Sequence, residues 1–540
     1  KYFQWWDRYV ETSLGQWAVA EISERTHGVY TLVLGDLDFR PIAGSLSFDS
    51  ALVITDTTLN RSRGNPLPTL RARATGCRIS KVSVLGLMLL KRFEAGAMGC
   101  QVVATAVELA PATAPPKAIP SPPQPASPPA PQLPQATVDS GPRQILKPPL
   151  GIRKFEISNI AFPTLQFSIR RVRLRGEASF EIAHARLVGD KVEFDPTATP
   201  GTPEAFLSVG LRVGGSDLQF KPDPLTRYSL GGIDIGLSDS TLSLSNLTLG
   251  PSVTDEEWQR HQKTRRDRIR FSLDSLAAAG IQYRTLARTG EVHIRRVLLR
   301  GARFNVLSDK RLPAGLKKAH VTPQAAAQGT APAVRIDTIV VDRSEISYLE
   351  HKPKRERPGR LDFADLTGRI SNVDLPSSGS PLTIDLNTRL MGAGAMSVHA
   401  TVPLDATDFR WNLTGRLGSM PASALNGFLE ETLPIRAKGG QIDSMIFVTS
   451  TTGGVSKTTL TPYYRDLGID FVSQGGVTGF LKAGLIEFGA NKFKVRTDNP
   501  EESNKPPRSA KTSRRYEPTQ SWLSFLWLGL RDGLLKTVVK

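Results

Sequence analysis

Residues 334–341 read Val-Arg-Ile-Asp-Thr-Ile-Val-Val, and the spacing of their apolar side chains is the main basis for predicting the fold class. Its apolar positions Val334, Ile336, Ile339 and Val341 follow one another at steps of two, three and two residues. A step of two keeps both side chains on one face of a β-strand. A step of three moves the next side chain to the other face unless a bulge or sharp bend resets the phase. We therefore predict a strand kinked in its middle, with both halves turned toward one apolar side.

The same two-three-two spacing occurs at five places, which indicates a chain built from repeated units. In three of them a further apolar pair follows at i+12 and i+14, and we interpret it as the return strand of a hairpin. A longer duplication agrees with this, because the stretch from Cys77 to Val103 aligns without a gap on the stretch from Phe271 to Val297. The five sets are Cys77/Ile79/Val82/Val84, Phe155/Ile157/Ile160/Phe162, Leu242/Leu244/Leu247/Leu249, Val292/Ile294/Val297/Leu299 and Val334/Ile336/Ile339/Val341, and the later pairs are Phe167/Ile169, Phe304/Val306 and Ile346/Tyr348.

The fold class that we predict is mainly β: an elongated, bent antiparallel sheet of repeating β-groove units, with a few short helices and an amphipathic C-terminal helix. A sheet of this kind that stays open along one edge has an apolar trough on its concave side. Exposed apolar area of that extent is typical of a binding surface, and a long apolar ligand would suit it. The residues predicted to line the trough are Ile79, Val82, Ile157, Ile160, Leu244, Leu247, Ile294, Val297, Ile336 and Ile339.

Composition divides the chain into seven segments. Fourteen of the 39 prolines fall within 111–149, which predicts an extended tether without a core. Thr254 with Glu257 three residues later is a capping-box signature that opens a charged, solvated helix running to Arg268. The predicted segments are an N-terminal β module (1–110), the proline-rich linker (111–149), a repeating β-groove region (150–311), a loop (312–333), a C-terminal β region (334–497), a disordered basic linker (498–520) and an amphipathic helix (521–540).

Charge and cysteine content restrict the partners and the compartment only loosely. The 540 residues carry a formal net charge of +18, which favours an anionic partner. The charge is spread along the chain and is not gathered into one basic module, so it does not choose among anionic partners. Arg-rich strands such as 170–175 lack interleaved exposed aromatics and a recognisable docking motif, so we predict no nucleic-acid partner. Cys77 and Cys100 are 23 residues apart; they can pair in an oxidising compartment, although we favour a small buried apolar residue at each position.

Both ends of the sequence are amphipathic. The aromatic run Tyr2, Phe3, Trp5 and Trp6 is typical of a membrane–water boundary, and we suspect that a signal anchor was removed just upstream; an ordinary helix capping a β structure is an equal alternative. The tail is too polar to span a bilayer, so we expect it to lie in an interface or dock on a partner, with a helix capping an open sheet as the alternative. The residues predicted to face the membrane or a partner are Trp522, Phe525, Leu526, Trp527 and Leu530.

The sequence contains no arrangement of residues that predicts catalysis. None of the seven histidines has metal-ligand spacing, and the glycine clusters lack the Lys-Ser/Thr of a phosphate-binding loop. There is also no Gly-x-Ser-x-Gly elbow. We therefore expect neither an enzyme nor a cofactor or metal.

Several blocks resemble the AsmA-like family of Gram-negative envelope proteins. The stretch Val334 to Asn372 looks like a block of that family, and the stretch Gly394 to Leu467 is similar to its C-terminal region. Tyr30 with Leu37 and the Gly44–Leu46 stretch looks like its N-terminal module. The resemblance implies an inner-membrane anchor, a periplasmic body of β-groove units, no catalytic residues, and a role in phospholipid traffic or outer-membrane maintenance.

Three hypotheses of function follow. The first is a carrier that binds phospholipid in the trough and moves it between the inner and outer membranes, with a periplasmic or outer-membrane protein as a candidate partner at the C-terminus. The second is a structural or assembly factor that holds outer-membrane proteins without transporting lipid. The third is a surface that binds polyanions, for which binding would fall steeply with salt.

Overall fold

The structure, a computed structural model, confirms that the protein is mainly β, with 59% of the described residues in strands and 16% in helices. It describes residues 2–61, 68–89, 92–109, 154–173, 176–194, 206–208, 210–315, 319–330, 332–376, 379–433, 435–471 and 495–539. The predicted linker 111–149 lies outside these residues, as do the side chains of Tyr2, Phe3, Trp5 and Trp6. The chain forms two compact units: unit 1 is Lys1–Leu211 with Phe220–Asp223, and unit 2 is Arg212–Gln219 with Pro224–Lys540.

Unit 1 is a sheet in which β3, β4, β6, β7 and β8 are successive neighbours, and β1 and β2 pair with β3. Its elements are α1 (Tyr2–Arg25), β1 (Tyr30–Leu34), β2 (Leu37–Arg40), β3 (Ser45–Thr55), α2 (Thr57–Arg61), β4 (Thr69–Ser80), α3 (Val84–Leu89), β5 (Arg92–Ala95), β6 (Ala97–Leu109), β7 (Lys154–Arg173), β8 (Gly176–Phe194) and β9 (Phe206–Ser208), and β10 (Arg212–Asp223) follows.

Unit 2 is a sheet in which each strand from β11 to β20 neighbours the next, with β14 and β15 sharing one place, and β22, β23 and β24 follow. Its elements are β11 (Thr226–Gly236), β12 (Thr241–Pro251), α4 (Asp255–Arg260), β13 (Arg268–Ala279), α5 (Tyr283–Thr289), β14 (Val292–Arg300), β15 (Arg303–Asp309), α6 (Pro323–Gln328), β16 (Val334–His351), β17 (Gly359–Leu375), β18 (Leu382–Leu390), β19 (Gly394–Val402), β20 (Trp411–Leu417), β21 (Met420–Pro421), α7 (Asn426–Thr432), β22 (Ile435–Thr452), β23 (Val455–Phe471), β24 (Ala510–Arg515) and α8 (Trp522–Val538).

The prediction of an antiparallel sheet is wrong at one place in each unit. In unit 1, β5 and β6 pair with β7 in parallel, and in unit 2, β14 and β15 pair with β16 in parallel. A parallel pair requires a long crossover, because the chain has to return to the starting end of the sheet. In unit 2 the crossover is 310–333, which includes the segment 312–333 predicted as a loop, and it contains α6.

The predicted return strands are also wrong. Phe304 and Val306 lie on β15, which continues the direction of β14, since both strands pair antiparallel with β13 in one unbroken register. The other two later pairs lie within β7 and β16, which run on past the kink as single strands. A strand that bends without reversing has the same local pattern of apolar residues as a hairpin, so the spacing alone does not distinguish them.

The two duplicated segments have the same topology, but their structurally equivalent residues are offset by five positions from the gapless sequence alignment. Val82 N donates to Gly44 O and Ser83 N donates to Glu94 O, over 2.7 and 2.8 Å. In unit 2, Ile281 N donates to Ser240 O and Gln282 N donates to His293 O, each over 3.0 Å. The equivalent strand–turn–helix–strand units are thus 199 residues apart, as Ser83 and Gln282 show, whereas the sequence alignment places them 194 apart.

Two local predictions are corrected by named contacts. Cys77 and Cys100 form a disulfide between directly opposed positions of β4 and β6, so the unpaired interpretation is wrong. The segment 498–520 is not disordered throughout, because β24 lies within it and pairs with β23. The helix expected from Thr254 is confirmed only as α4, where the Thr254 hydroxyl accepts from Glu257 N over 3.2 Å.

Candidate functional site

One face of the unit 2 sheet carries an unbroken row of apolar side chains, which we call the ladder. Residues directly opposite each other on neighbouring strands project to the same face, so the pairing register identifies the members of the row. Nine successive strands each contribute one apolar residue. In order from β11 to β20 they are Ile235, Leu242, Ala278, Val297, Ile339, Ile370, Ile384, Ala400 and Leu413.

A second row lies two residues along each strand, on the same face. It includes Leu244, one of the predicted trough residues, and its only members without an apolar side chain are two glycines. At Gly415 the ring of Phe447 fills the space that a side chain would occupy. The row is Ile233, Leu244, Leu276, Leu299, Val341, Gly368, Leu386, Val398, Gly415, Phe447, Leu460 and Ala510.

The three-residue steps coincide with irregularities that keep both halves of each strand on this face. The regular pairing omits Arg295, Asp337 and Asn372, which lie in line across β14, β16 and β17, and Asn372 has φ +59°. A left-handed residue within a strand changes the alternation of its side chains, and asparagine tolerates that conformation better than most residues. The predicted phase reset is therefore confirmed here.

The predicted residues around this irregularity come together in one cluster. Ile294 and Val297 from β14 pack with Ile336 and Ile339 from β16, against the buried side chains of Ala278 and Ile281. Leu244 and Leu247, on either side of Asn246 at φ +51°, are half-buried on β12. The four residues of β14 and β16 thus lie on the apolar side, as does Leu244 through its place in the second row.

The four predicted residues of unit 1 also lie close together in the sheet. Ile79 and Val82 are buried in a cluster with Phe39 and Phe93, and Ile157 packs against it. Ile160, only 7% exposed, lies opposite Met98, which packs on the same cluster. Val82 lies beyond the end of β4, after Lys81 at φ +54°, so a turn resets its phase rather than a bend within a strand.

Exposure differs along the ladder. Ala278, Val297, Ala400 and Leu413 are buried, at 4 to 7% exposure. The remaining five members are half-buried: Ile235, Leu242, Ile339, Ile370 and Ile384. Apolar side chains of this kind keep part of their surface in water, and that surface is available to an apolar ligand.

The C-terminal helix α8 lies on the same face, over the last strands. Where it docks, the ladder changes from apolar residues to threonine, because Leu413 is followed by Thr449, Thr458 and Thr512. Thr449 and Thr458 hydrogen-bond each other over 2.9 Å, and the Thr512 hydroxyl donates to Gly529 O. Small side chains here permit the helix backbone to approach the sheet closely.

Most of the predicted tail residues pack on the protein. Phe525, 1% exposed, is buried among the rings of Phe409 and Tyr516, at centroid distances of 6.0 and 5.4 Å. Leu526 and Leu530 pack against the cluster around Phe447, and Trp522 and Leu526 against the cluster around Trp411. Trp527 remains 43% exposed.

Sequence reasoning missed an aromatic link that involves Trp527. Its ring meets Phe428 of α7 edge-on at 6.3 Å, and Phe428 contacts Tyr348 of β16 at 6.5 Å. These residues come from three elements widely separated in sequence, so no local sequence pattern predicts the contact. The link connects the C-terminal helix through α7 to β16, in the middle of the sheet.

Charged groups lie close to the Tyr348 end of this link. The Tyr348 hydroxyl donates to Glu350 over 2.7 Å, and Lys352 forms an ion pair with Glu350 at 2.7 Å. Burial raises the pKa of Glu350, but hydrogen bonds from Lys352 and Tyr348 outweigh it and hold that pKa below its ordinary value. Burial also raises the pKa of Tyr348, so the phenol stays protonated as a hydrogen-bond donor.

Two structural searches and two comparisons bear on the site. Within them, no three His, Cys, Asp or Glu side chains are grouped so that they would hold a metal ion. Each helix in the described part of the chain is too short or too polar to cross a bilayer. A comparison with protein-family models and with curated proteins finds no match to this sequence.

Proposed function

We propose that the apolar face bearing the ladder binds the acyl chains of phospholipid, and that the protein carries lipid between the inner and outer membranes and so supports outer-membrane maintenance. The observation that carries the proposal is the unbroken row from Ile235 to Leu413 with its half-buried members. Eight strand spacings separate its ends, about 38 Å at 4.8 Å each. An acyl chain fills half of a hydrocarbon core of about 30 Å, so the row is long enough for two chains end to end.

The energetics favour an apolar ligand. Each buried methylene group contributes roughly 0.8 kcal/mol, so a chain of many methylenes gains several kcal/mol even when only one side of it contacts protein. In our proposal the sheet is open along one edge, which forms the trough and leaves the charged headgroup in water. The side chains of the ladder are aliphatic and make no directional contacts, which suits a ligand without hydrogen-bonding groups.

The Cys77–Cys100 disulfide supports the proposed location. Disulfides form and persist in oxidising compartments such as the bacterial periplasm and are rare in reducing ones. The resemblance of the Val334–Asn372 block to AsmA-like proteins points the same way. We propose a periplasmic protein anchored in the inner membrane of a Gram-negative bacterium.

The test is the lipid content of purified ladder variants. Ile339 and Ile370 lie opposite each other on the apolar face, and Thr338 and Ser371 form the neighbouring pair on the other face. We expect Ile339→Asp with Ile370→Asp to abolish copurifying phospholipid, measured by mass spectrometry. The matched variant Thr338→Asp with Ser371→Asp should keep it, and circular dichroism checks that both variants are folded.

A second measurement does not depend on aspartate being tolerated in the sheet. A photocrosslinking residue at Ile339 should capture lipid, and the same residue at Thr338 should not. Capture of protein strands at Ile339 in place of lipid would favour an assembly factor for outer-membrane proteins and contradict the carrier. Equal lipid content in the two aspartate variants would contradict it as well.

A further inference from the structure

A cleft of about 490 Å³ lies on the solvent-facing side of unit 1, across β4, β6, β7 and β8. The small side chains of Ala104 and Ala106 on β6 form its floor, beside Gln166 and Ser168 on β7. Longer side chains line both sides of this floor: Arg71 and Arg73 on β4, and Glu181 and His184 on β8. A strip of small residues between strands that carry long side chains forms a trench along the strand direction.

The cleft is independent of the proposed lipid surface. Arg73 and Ala104 lie opposite each other, and the residues that follow them, Ala74 and Val103, form the next opposed pair. Because side chains alternate along a strand, Ala74 and Val103 project to the other face. The cleft therefore lies on the polar side of the unit 1 sheet.

Arg71 and Arg73 are well placed to receive an anion. They are two residues apart on one strand and point to one face, with both side chains exposed. Among the described residues, neither guanidinium is paired with a carboxylate. An arginine without a partner beside a cleft keeps all five of its donors available.

The donors around the cleft indicate which class of anion it would bind. A carboxylate has two oxygens and is satisfied by one guanidinium fork, whereas a phosphate has enough oxygens for two forks. The Ser168 hydroxyl and the Gln166 amide offer further donors. Glu181 also lines the cleft, but it is on β8, three strand spacings from the arginines of β4, so the acidic and basic groups belong to opposite sides of the cleft.

We propose that this cleft is a binding site for a phosphate group, with Arg71 and Arg73 as its ligands and the Ala104–Ala106 floor defining its shape. Two sources share that chemistry: a soluble phosphomonoester and the phosphate of a lipid headgroup. The proposal does not depend on the apolar ladder, which belongs to unit 2.

The test measures binding of glycerol 3-phosphate to the full chain by calorimetry at fixed salt. Loss of a charged hydrogen bond lowers affinity by roughly tenfold or more, so we expect at least that loss in Arg71→Ala with Arg73→Ala. Ala106→Leu fills the floor without a change of charge and should weaken binding similarly. Arg78→Ala removes the same charge from β4 outside the cleft and should leave affinity within about twofold.

Vesicles of phosphatidylcholine with and without phosphatidylglycerol distinguish the two sources. If the protein binds glycerol 3-phosphate and Ala106→Leu weakens that binding, the ligand is a soluble phosphomonoester. If it binds only the vesicles and Ala106→Leu weakens that binding, the ligand is a lipid headgroup. If Arg78→Ala weakens binding as much as Arg71→Ala with Arg73→Ala does, and Ala106→Leu has no effect, the protein attracts anions only through its general charge. That result would overturn the site. Absence of binding to both probes would overturn it as well.

Discussion

The hydroxyl of Thr512 donates a hydrogen bond to the carbonyl of Gly529 over 3.2 Å, with both groups buried between β24 and α8. This contact is possible because α8 presents Gly529 and Gly533 to the sheet, where a Cβ at Gly533 would lie 3.2 Å from the Cβ of Leu460. The helix thus docks through its backbone as well as through its aromatic side chains.

Gly533→Leu is expected to displace α8 from the sheet. Overpacking of a tight contact costs about 1–3 kcal/mol, so the variant should show faster amide hydrogen exchange in α8 and faster tryptic cleavage after Arg531. The control is Leu534→Ala, next along the helix, where the side chain is 37% exposed. If amide exchange and tryptic cleavage in α8 are as slow in both variants as in the wild type, the close contact at Gly533 does not hold the helix on the sheet.

Removal of the disulfide is expected to destabilise unit 1. A bond that closes a loop of 23 residues contributes about 3 kcal/mol through the unfolded chain. Cys77→Ala with Cys100→Ala should speed hydrogen exchange in β4 and β6 and leave that in β20 and β22 unchanged. Dithiothreitol should have the same effect on the wild type and none on the variant; an effect on the variant would show that the reductant acts elsewhere.

Gly301 and Arg343 both have positive φ angles, and we expect substitutions at the two positions to change the free energy of unfolding in opposite directions. Gly301 has φ +66°, and a Cβ built there would overlap the Asp274 carboxylate, so Gly301→Ala should cost about 1–2 kcal/mol. Arg343 has φ +44°, a strained value for a residue with a long side chain, and Arg343→Gly should stabilise the protein by about 0.5 kcal/mol. Urea unfolding measures both, and equal signs would contradict the strained bend.

Glu350 should contribute to acid unfolding. Its pKa in the folded state lies below the ordinary value of 4.5, so the ionised form stabilises the fold above that pH, and this stabilisation is lost as the pH falls through the folded-state pKa. Glu350→Gln should flatten the fall in unfolding free energy below about pH 4.5. The exposed Glu356→Gln is the control, and an unchanged acid limb in both variants would rule out this contribution.

The repeating apolar spacing was sufficient to predict a mainly β protein and its kinked strands. Steps of two and three are local properties of a strand, so Ile294, Val297, Ile336 and Ile339 were assigned correctly to one apolar side before any strand pairing was known. The capping box at Thr254 and the C-terminal helix are also local, and both are present.

The direction and order of the strands were decided only by tertiary structure. A parallel partner such as β16 for β14 is joined through a long crossover, and neither strand carries a residue that encodes the other's direction. The disulfide, the Trp527–Phe428–Tyr348 link and the arginine cleft likewise join residues distant in sequence. The apolar positions and the bend of each strand follow from neighbours along the chain, so they could be read from the amino-acid sequence. Which strands and side chains contact each other depends on the packing of whole elements, so it is visible only in the folded protein.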